Sequence, residues 1–156
     1  MIEFIPFAER YAEDAVNMWR ASKEAAIGLP ERHDVASHRI FLTEHLVKTS
    51  RVYLAIDTSI NRVVGLMALQ ENELTQLYIH GDYQRRGIGS AFISLAKSLS
   101  PSSLALYTFE VNTGAQSFYE QHGFVIVGRG SENEENLPDI RYEWNPRVSI
   151  PRRSMI

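Results

Sequence analysis

Three observations predict a mixed α/β domain with hairpins early and a crossover late. Apolar residues recur at helical spacing through Tyr11, Ala15, Met18, Trp19 and Ser22. The period changes to two at Val52, Leu54 and Ile56, and returns to helical intervals at Ile88, Phe92, Leu95, Ala96 and Leu99. The remaining elements follow from these. Residues 2–6 can form a short strand, and residues 27–33, "IGLPERH", break the first helix with Gly28 and Pro30. A second helix is expected over residues 37–48, with Ser37 as its cap. After the alternating strand, "TSIN" supplies a turn, residues 63–69 read as the partner strand, and a third strand runs from about Glu73 to Ile79. Pro101 closes the helix that starts near Gly87. Residues 104–109 are strand-like, and Ala115, Phe118, Tyr119 and His122 mark one face of a short helix ended by Gly123. Residues 124–127 and 140–144 read as two last strands. The predicted order is β-α-α-β-β-β-α-β-α-β-β.

At 156 residues, 44% hydrophobic and 22% charged, the chain has the size and composition of one soluble globular domain. We expect that domain over residues 1–145. Residues 146–156, with two prolines and three arginines, form a tail outside the core. A net charge of −3 argues against a nucleic-acid partner. The first residues carry acids and build no long apolar run, so neither a signal peptide nor a membrane anchor is expected, which fits a cytoplasmic location. The absence of cysteine excludes disulfides, thiolate nucleophiles and cysteine-ligated zinc. The five histidines show no metal-ligand spacing, so no metal is expected.

The stretch "QRRGIGSAF" follows the strand ending near Ile79 and opens the helix starting near Gly87. Gly87 and Gly89 remove the β-carbons that would keep a ligand from the backbone. Helix-initial N–H groups lack intrahelical partners and carry the positive end of the dipole. Arg85 and Arg86 add charge, and Ser90 adds a hydroxyl donor. A pyrophosphate uses all of these. A dinucleotide-binding fingerprint fits less well, because Phe92 stands where a third glycine would allow close helix–strand packing. A Walker loop fails because no Gly-Lys-Ser/Thr follows.

"QRRGIG" matches, position for position, the Q/R-x-x-G-x-G/A signature of the GNAT superfamily of N-acetyltransferases. "NTGAQSFYEQHGF" resembles that family's second signature, and the two occur in the family's order. The resemblance extends from about Arg51 to Trp144. It implies the GNAT-like acyl-CoA N-acyltransferase fold: a central, mostly antiparallel sheet with a V-shaped splay between the fourth and fifth strands and helices on both faces. It also implies acetyl-CoA as co-substrate and an amine of a small molecule or peptide as acceptor, in a monomer or a homodimer. In that reading the backbone of Leu77, Tyr78 and Ile79 binds the pantetheine and the thioester oxygen. Gln84, Arg85, Arg86, Gly87, Ile88, Gly89 and Ser90 hold the pyrophosphate, and Asn112, Ala115 and Phe118 border the pantetheine arm.

The resemblance makes Tyr119 the proton donor to the departing thiolate. The chemistry is sound, since a phenol near pKa ~10 and a thiol near ~8.5 are close enough for transfer as the bond breaks. Glu73 stands at the ungapped offset of the catalytic glutamate in histone-type members of the family; Glu71, His80 or a water chain are alternative bases, and many relatives use no dedicated residue. Strand alternation places Glu73 on the face of Leu77 and Ile79 unless a bulge changes the parity. Without cysteine no acetyl-cysteine intermediate can form, so direct attack of the amine on the thioester is expected. Glu132, Glu134, Glu135 and Asp139 in the last hairpin are a solvated loop or an attractor for a cationic amine. Trp19, Tyr53, Tyr142 and Trp144 fit the core better than the acceptor side. The competing reading is a non-catalytic CoA-binding sensor or interaction domain on the same fold.

Overall fold

The computed structural model describes residues 1–146; most of the expected tail therefore lies outside the described residues. Seven strands form one sheet: β1 (Ile2–Pro6), β2 (Arg51–Asp57), β3 (Arg62–Gln70), β4 (Glu73–Ile79), β5 (Leu104–Phe109), β6 (Val125–Gly130) and β7 (Asp139–Trp144). Their spatial order is β1-β2-β3-β4-β5-β7-β6. Every neighbouring pair is antiparallel except β4 and β5, which run parallel and share a single register pair, Glu73 opposite Ala105. There the Ala105 N–H donates to the Asn72 carbonyl at 2.9 Å. From that closed end the two strands part toward Ile79 and Phe109, giving the splay expected between the fourth and fifth strands.

Helices cover both faces. On one side α1 (Ala12–Ile27), α2 (Val35–Ile40), a π-helical segment (Phe41–Leu46) and α3 (Val47–Thr49) lie over β1–β4. Their core joins Val16, Trp19, Leu42 and Leu46 to Leu54, Leu66 and Ala68. On the other side α4 (Ile88–Leu99) and α5 (Thr113–Gln121) bury Phe92, Ile93 and Tyr119 against Met67, Leu74, Leu106 and Tyr142. Tyr53 and Trp144 pack against this second core and Tyr142 lies fully within it. No helix among the described residues is long and apolar enough to cross a membrane.

Local chemistry explains where the elements start and stop. Helix α1 ends at Gly28, whose φ of 73° is the left-handed conformation that glycine adopts without a Cβ penalty. The helix expected from Ser37 begins two residues earlier. Asp34 is its cap: the Asp34 carboxylate accepts from the Ser37 N–H at 2.7 Å, so Ser37 supplies the donor and not the acceptor. In β4, Leu74 faces Leu69 and Gln76 faces the adjacent Ala68, which leaves Thr75 as an extra residue. This bulge reverses the side-chain parity. Leu74, Leu77 and Ile79 all turn to the α4 side, while Tyr78 turns to the α1 side. Simple alternation from Glu73 therefore fails, because Glu73 precedes the bulge and lies opposite the face of Leu77 and Ile79.

Two contacts fix the loop between β4 and α4. Phe92, fully buried in α4, lies against β3 at Gly65 and meets Phe4 edge-on at 5.0 Å. A Cβ on Gly65 would stand 2.9 Å from the Phe92 ring, so the small residue that permits close helix–strand approach sits on the strand and not on the helix. At the other end Tyr83 donates its hydroxyl to Asp57 at the end of β2, and the Arg86 guanidinium stacks 4.9 Å above the Tyr83 ring. The Ser59 hydroxyl, then Tyr83, holds the Asp57 carboxyl down at about 2.

Gly65→Ala should destabilise the fold by roughly 1–3 kcal/mol, the usual cost of overpacking, with part recovered by adding Phe92→Leu; denaturant melts of the single and double variants measure this. Asp57→Asn should lower the melting temperature at pH 7. Because the folded carboxyl titrates at about 2 and the free one at 3.8, the stabilisation is complete above 3.8 and disappears as pH falls through about 2. Melts of wild type and variant across that window should converge.

Candidate active site

The splay opens into a cleft of about 1030 Å³ walled by β4, β5, the C-terminal half of α1, the loop before α4 and the face of α5. The sequence-selected residues Leu77, Tyr78, Ile79, Gln84, Arg85, Gly87, Gly89, Ser90, Asn112, Ala115, Phe118 and Tyr119 all line it. Ile88 and Arg86 do not: the Ile88 side chain is buried in the core and the Arg86 side chain rests on Tyr83. Only the backbone of Ile88 can serve a ligand.

At one end of the cleft the N-terminus of α4 forms a cradle. The first bond inside the helix runs from the Ala91 N–H to the Gly87 carbonyl at 3.0 Å, so the N–H groups of Ile88, Gly89 and Ser90 precede the ladder. Among the described residues no side chain caps this end. Arg85 and Gly87 both adopt left-handed conformations, at φ 64° and 83°. For an arginine that is a strained backbone. A Cβ on Gly89 would lie 3.0 Å from the Phe118 ring, so glycine lets α5 close on the first turn of α4. The side chains and open backbone here fit a diphosphate: donors converge, the helix dipole is favourable and, among the described residues, no carboxylate lines this end.

Along the walls, β4 beyond its single pair with β5 presents main chain to the cleft. Gln84 Nε2 and the Ser22 hydroxyl both reach the Ile79 carbonyl, at 3.3 and 3.4 Å. Asn112 caps α5 by accepting from the Ala115 N–H at 3.2 Å. That uses the acceptor end of its amide and leaves the donor end for the cleft. Tyr119 is 8% exposed and packs among Phe118, Phe124 and Tyr142. Burial, with the neighbouring Tyr78, pushes its phenol well above the ordinary tyrosine value. Tyr78 is raised likewise, by burial and then by the charges of Glu135 and Glu31.

The candidate bases lie elsewhere. Glu73 sits at the closed end of the splay, 3.5 Å from Arg141 Nη1, and does not line the cleft. His80 accepts from the Asp82 N–H at 3.1 Å beside the Tyr83 ring, and Glu71 occupies a left-handed turn at φ 55°. Neither lines the cleft. A second cavity of about 660 Å³, lined by Arg129, Glu132, Asp139 and Arg141 among others, shares the wall Tyr107, Thr108 and Phe109 with the first.

Sequence reasoning missed the partner of Glu135. Lys23 bonds Glu135 at 3.1 Å and lies 3.8 Å from Glu31, whose side chain is only 3% exposed. Among the described residues Glu31 Oε2 and Trp19 Nε1 are buried without a hydrogen-bond partner. Arg32 and His33 reach across to Glu134, so residues 27–33 and the β6–β7 loop close on one another beside Tyr78. The only sequence signal was the position of Glu31 inside the break after α1. Among the described residues no group of three or more acidic or histidine side chains is placed to hold a metal ion.

Residues 48–126 match the family model described as the acetyltransferase (GNAT) domain. Over 84 residues the chain is 29% identical to the peptidyl-lysine N-acetyltransferase YiaC of Escherichia coli K12, a match covering 53% of this chain and 57% of that one. Among solved structures, YjaB from Escherichia coli superposes with a TM-score of 0.74 at 21% identity, over 92% of this chain and 97% of the other. A GNAT acetyltransferase from Staphylococcus aureus Mu50 gives 0.74 at 18% identity over 93% and 99%. PaiA N-acetyltransferase from Thermoplasma acidophilum, solved in complex with coenzyme A, gives 0.70 at 19% over 93% and 99%. The matched segment contains both the arginine–glycine loop and the helix of Tyr119, and the chain belongs to the GNAT acetyltransferase family.

Proposed function

We propose that this protein transfers the acetyl group of acetyl-CoA directly to a primary amine of a small molecule or peptide. The observation that carries the reading is the sharing of one cleft by an uncapped helix N-terminus, an unzipped strand edge and a buried phenol. The N–H groups of Ile88, Gly89 and Ser90, with Arg85, hold the diphosphate. The main chain of Leu77 to Ile79 and the Asn112 amide hold the pantetheine. Backbone donors at the splay face the oxygen on which charge develops.

A cationic acceptor first gives one proton to water. The neutral amine nitrogen then bonds to the acetyl carbon, the carbon–sulfur bond breaks, the thiolate takes the Tyr119 phenolic proton, and the second proton lost from nitrogen returns through water to the phenolate. Burial disfavours the phenolate and the departing thiolate alike, so the raised phenol is matched against a thiolate that forms in the same dry pocket and draws the proton as its charge develops. Glu73 takes no direct part in this proposal, since its carboxylate faces Arg141. The 156 residues contain no cysteine, which supports direct attack over an acyl-enzyme.

On the acceptor side we place Glu31 and Glu135 beyond Tyr78, where their charge favours a cationic amine. The likeness to a peptidyl-lysine N-acetyltransferase supports a lysine side chain as one acceptor to try first.

Tyr119→Phe should lower kcat about 100-fold or more and leave CoA affinity nearly unchanged, read by thiol release and by calorimetry. An unchanged kcat removes Tyr119 from the acid role. Glu73→Gln should leave kcat within about threefold; a loss comparable to that of Tyr119→Phe would make Glu73 the base after all. If wild type binds CoA and no amine supports turnover, the non-catalytic reading holds instead.

A further inference from the structure

His122 is the one histidine that lines the cleft, and neither family signature assigns it a role. It follows α5 directly and lies beside the diphosphate cradle. Its Nε2 is 3.1 Å from the Ser90 hydroxyl, in the first turn of α4. Its ring packs on Phe118 with centroids 4.6 Å apart, and Phe118 in turn covers Gly89. Its backbone is fixed from both helices, by its N–H to the Tyr119 carbonyl at 3.0 Å and by Lys97 Nζ to its own carbonyl at 2.7 Å. The imidazole is therefore a rigid group whose contact with Ser90 is built into the α4–α5 packing.

The direction of that contact decides what Ser90 can do. A serine hydroxyl has one proton to give. If Nε2 accepts, the proton is spent on the ring and the oxygen lone pairs of Ser90 face the anion. If Nε2–H donates to Oγ, the hydroxyl proton is free to point at a phosphate oxygen. Partial burial and the nearby Lys97 ammonium hold the ring below the ordinary histidine value, so at neutral pH it is uncharged and both tautomers are open to it.

We propose that His122 is a positioning residue for the diphosphate: with its proton on Nε2 it donates to Ser90 Oγ and so turns the Ser90 hydroxyl toward the phosphate. The inference rests on the acetyl-CoA reading above and adds to it a second-rank group that acts only through Ser90. Bound anion selects the Nε2–H tautomer, and Nδ1 carries the lone pair.

Calorimetry with CoA tests it on the intact chain. His122→Ala and Ser90→Ala should each weaken CoA about tenfold, and the double variant should be no weaker than either single one, because the two act as one unit. His122→Gln, whose side-chain amide can place N–H near the position of Nε2, should recover most of the affinity. Nitrogen-15 shifts of the His122 ring in the wild-type complex with CoA should show Nε2 protonated and Nδ1 bare. Additive losses, undiminished affinity in His122→Ala, or a ring protonated at Nδ1 alone would overturn the inference and leave the acetyl-CoA reading standing. If wild type itself gives no heat with CoA, the acetyl-CoA reading falls first and this inference with it.

Discussion

The architecture of the site depends on one limited backbone pairing. Strands β4 and β5 are joined only where Glu73 meets Ala105, and every wall of the cleft follows from what happens past that point. A fully zipped parallel pair would satisfy its own main-chain groups and leave no opening. An open one exposes polar backbone inside the protein, which is costly unless a ligand or water supplies partners. Two helices flank the opening, and each is held close by a small residue. Gly65 on β3 admits Phe92 of α4, and Gly89 on α4 admits Phe118 of α5.

This arrangement ties the anion cradle to the proposed acid. Phe118, which closes on Gly89, is adjacent in sequence to Tyr119, and its ring meets the Tyr119 ring at 5.3 Å. The loop ahead of α4 is anchored from the far side through Tyr83 and Asp57. A strained Arg85 and a left-handed Gly87 can persist there because both ends of the loop are held. The proposed diphosphate end and the proposed proton donor are thus parts of one packed unit.

Much of this was legible in the sequence, for identifiable reasons. Strong periodicity located β4, β5 and α4 to within a residue, and glycines marked both the end of α1 and the start of α4. The two signatures brought together residues that line one cleft. What escaped notice depends on tertiary register. The extra residue at Thr75 leaves no trace in composition, so the sequence leaves open a bulge in this strand and only the register shows that it reverses the face of Glu73 relative to Leu77. Asp34 caps α2 because the chain turns there, while Ser37 looked equally suitable on type alone. Glu31 carried no signal of its own in the sequence, and the meeting of residues 27–33 with the β6–β7 loop buries it. His122 joined an apolar helical face in the pattern, and its contact with Ser90 spans two helices.

The central claim is that the backbone amides opening α4 grip the diphosphate of an acyl carrier. Titrating CoA into nitrogen-15-labelled protein and following every amide tests it most directly. The account predicts the largest shifts at Ile88, Gly89 and Ser90, with the Asn112 side-chain amide moving in step at the same half-saturation. Shifts confined to the neighbouring cavity at Arg129 and Arg141, or none at the start of α4, would contradict it.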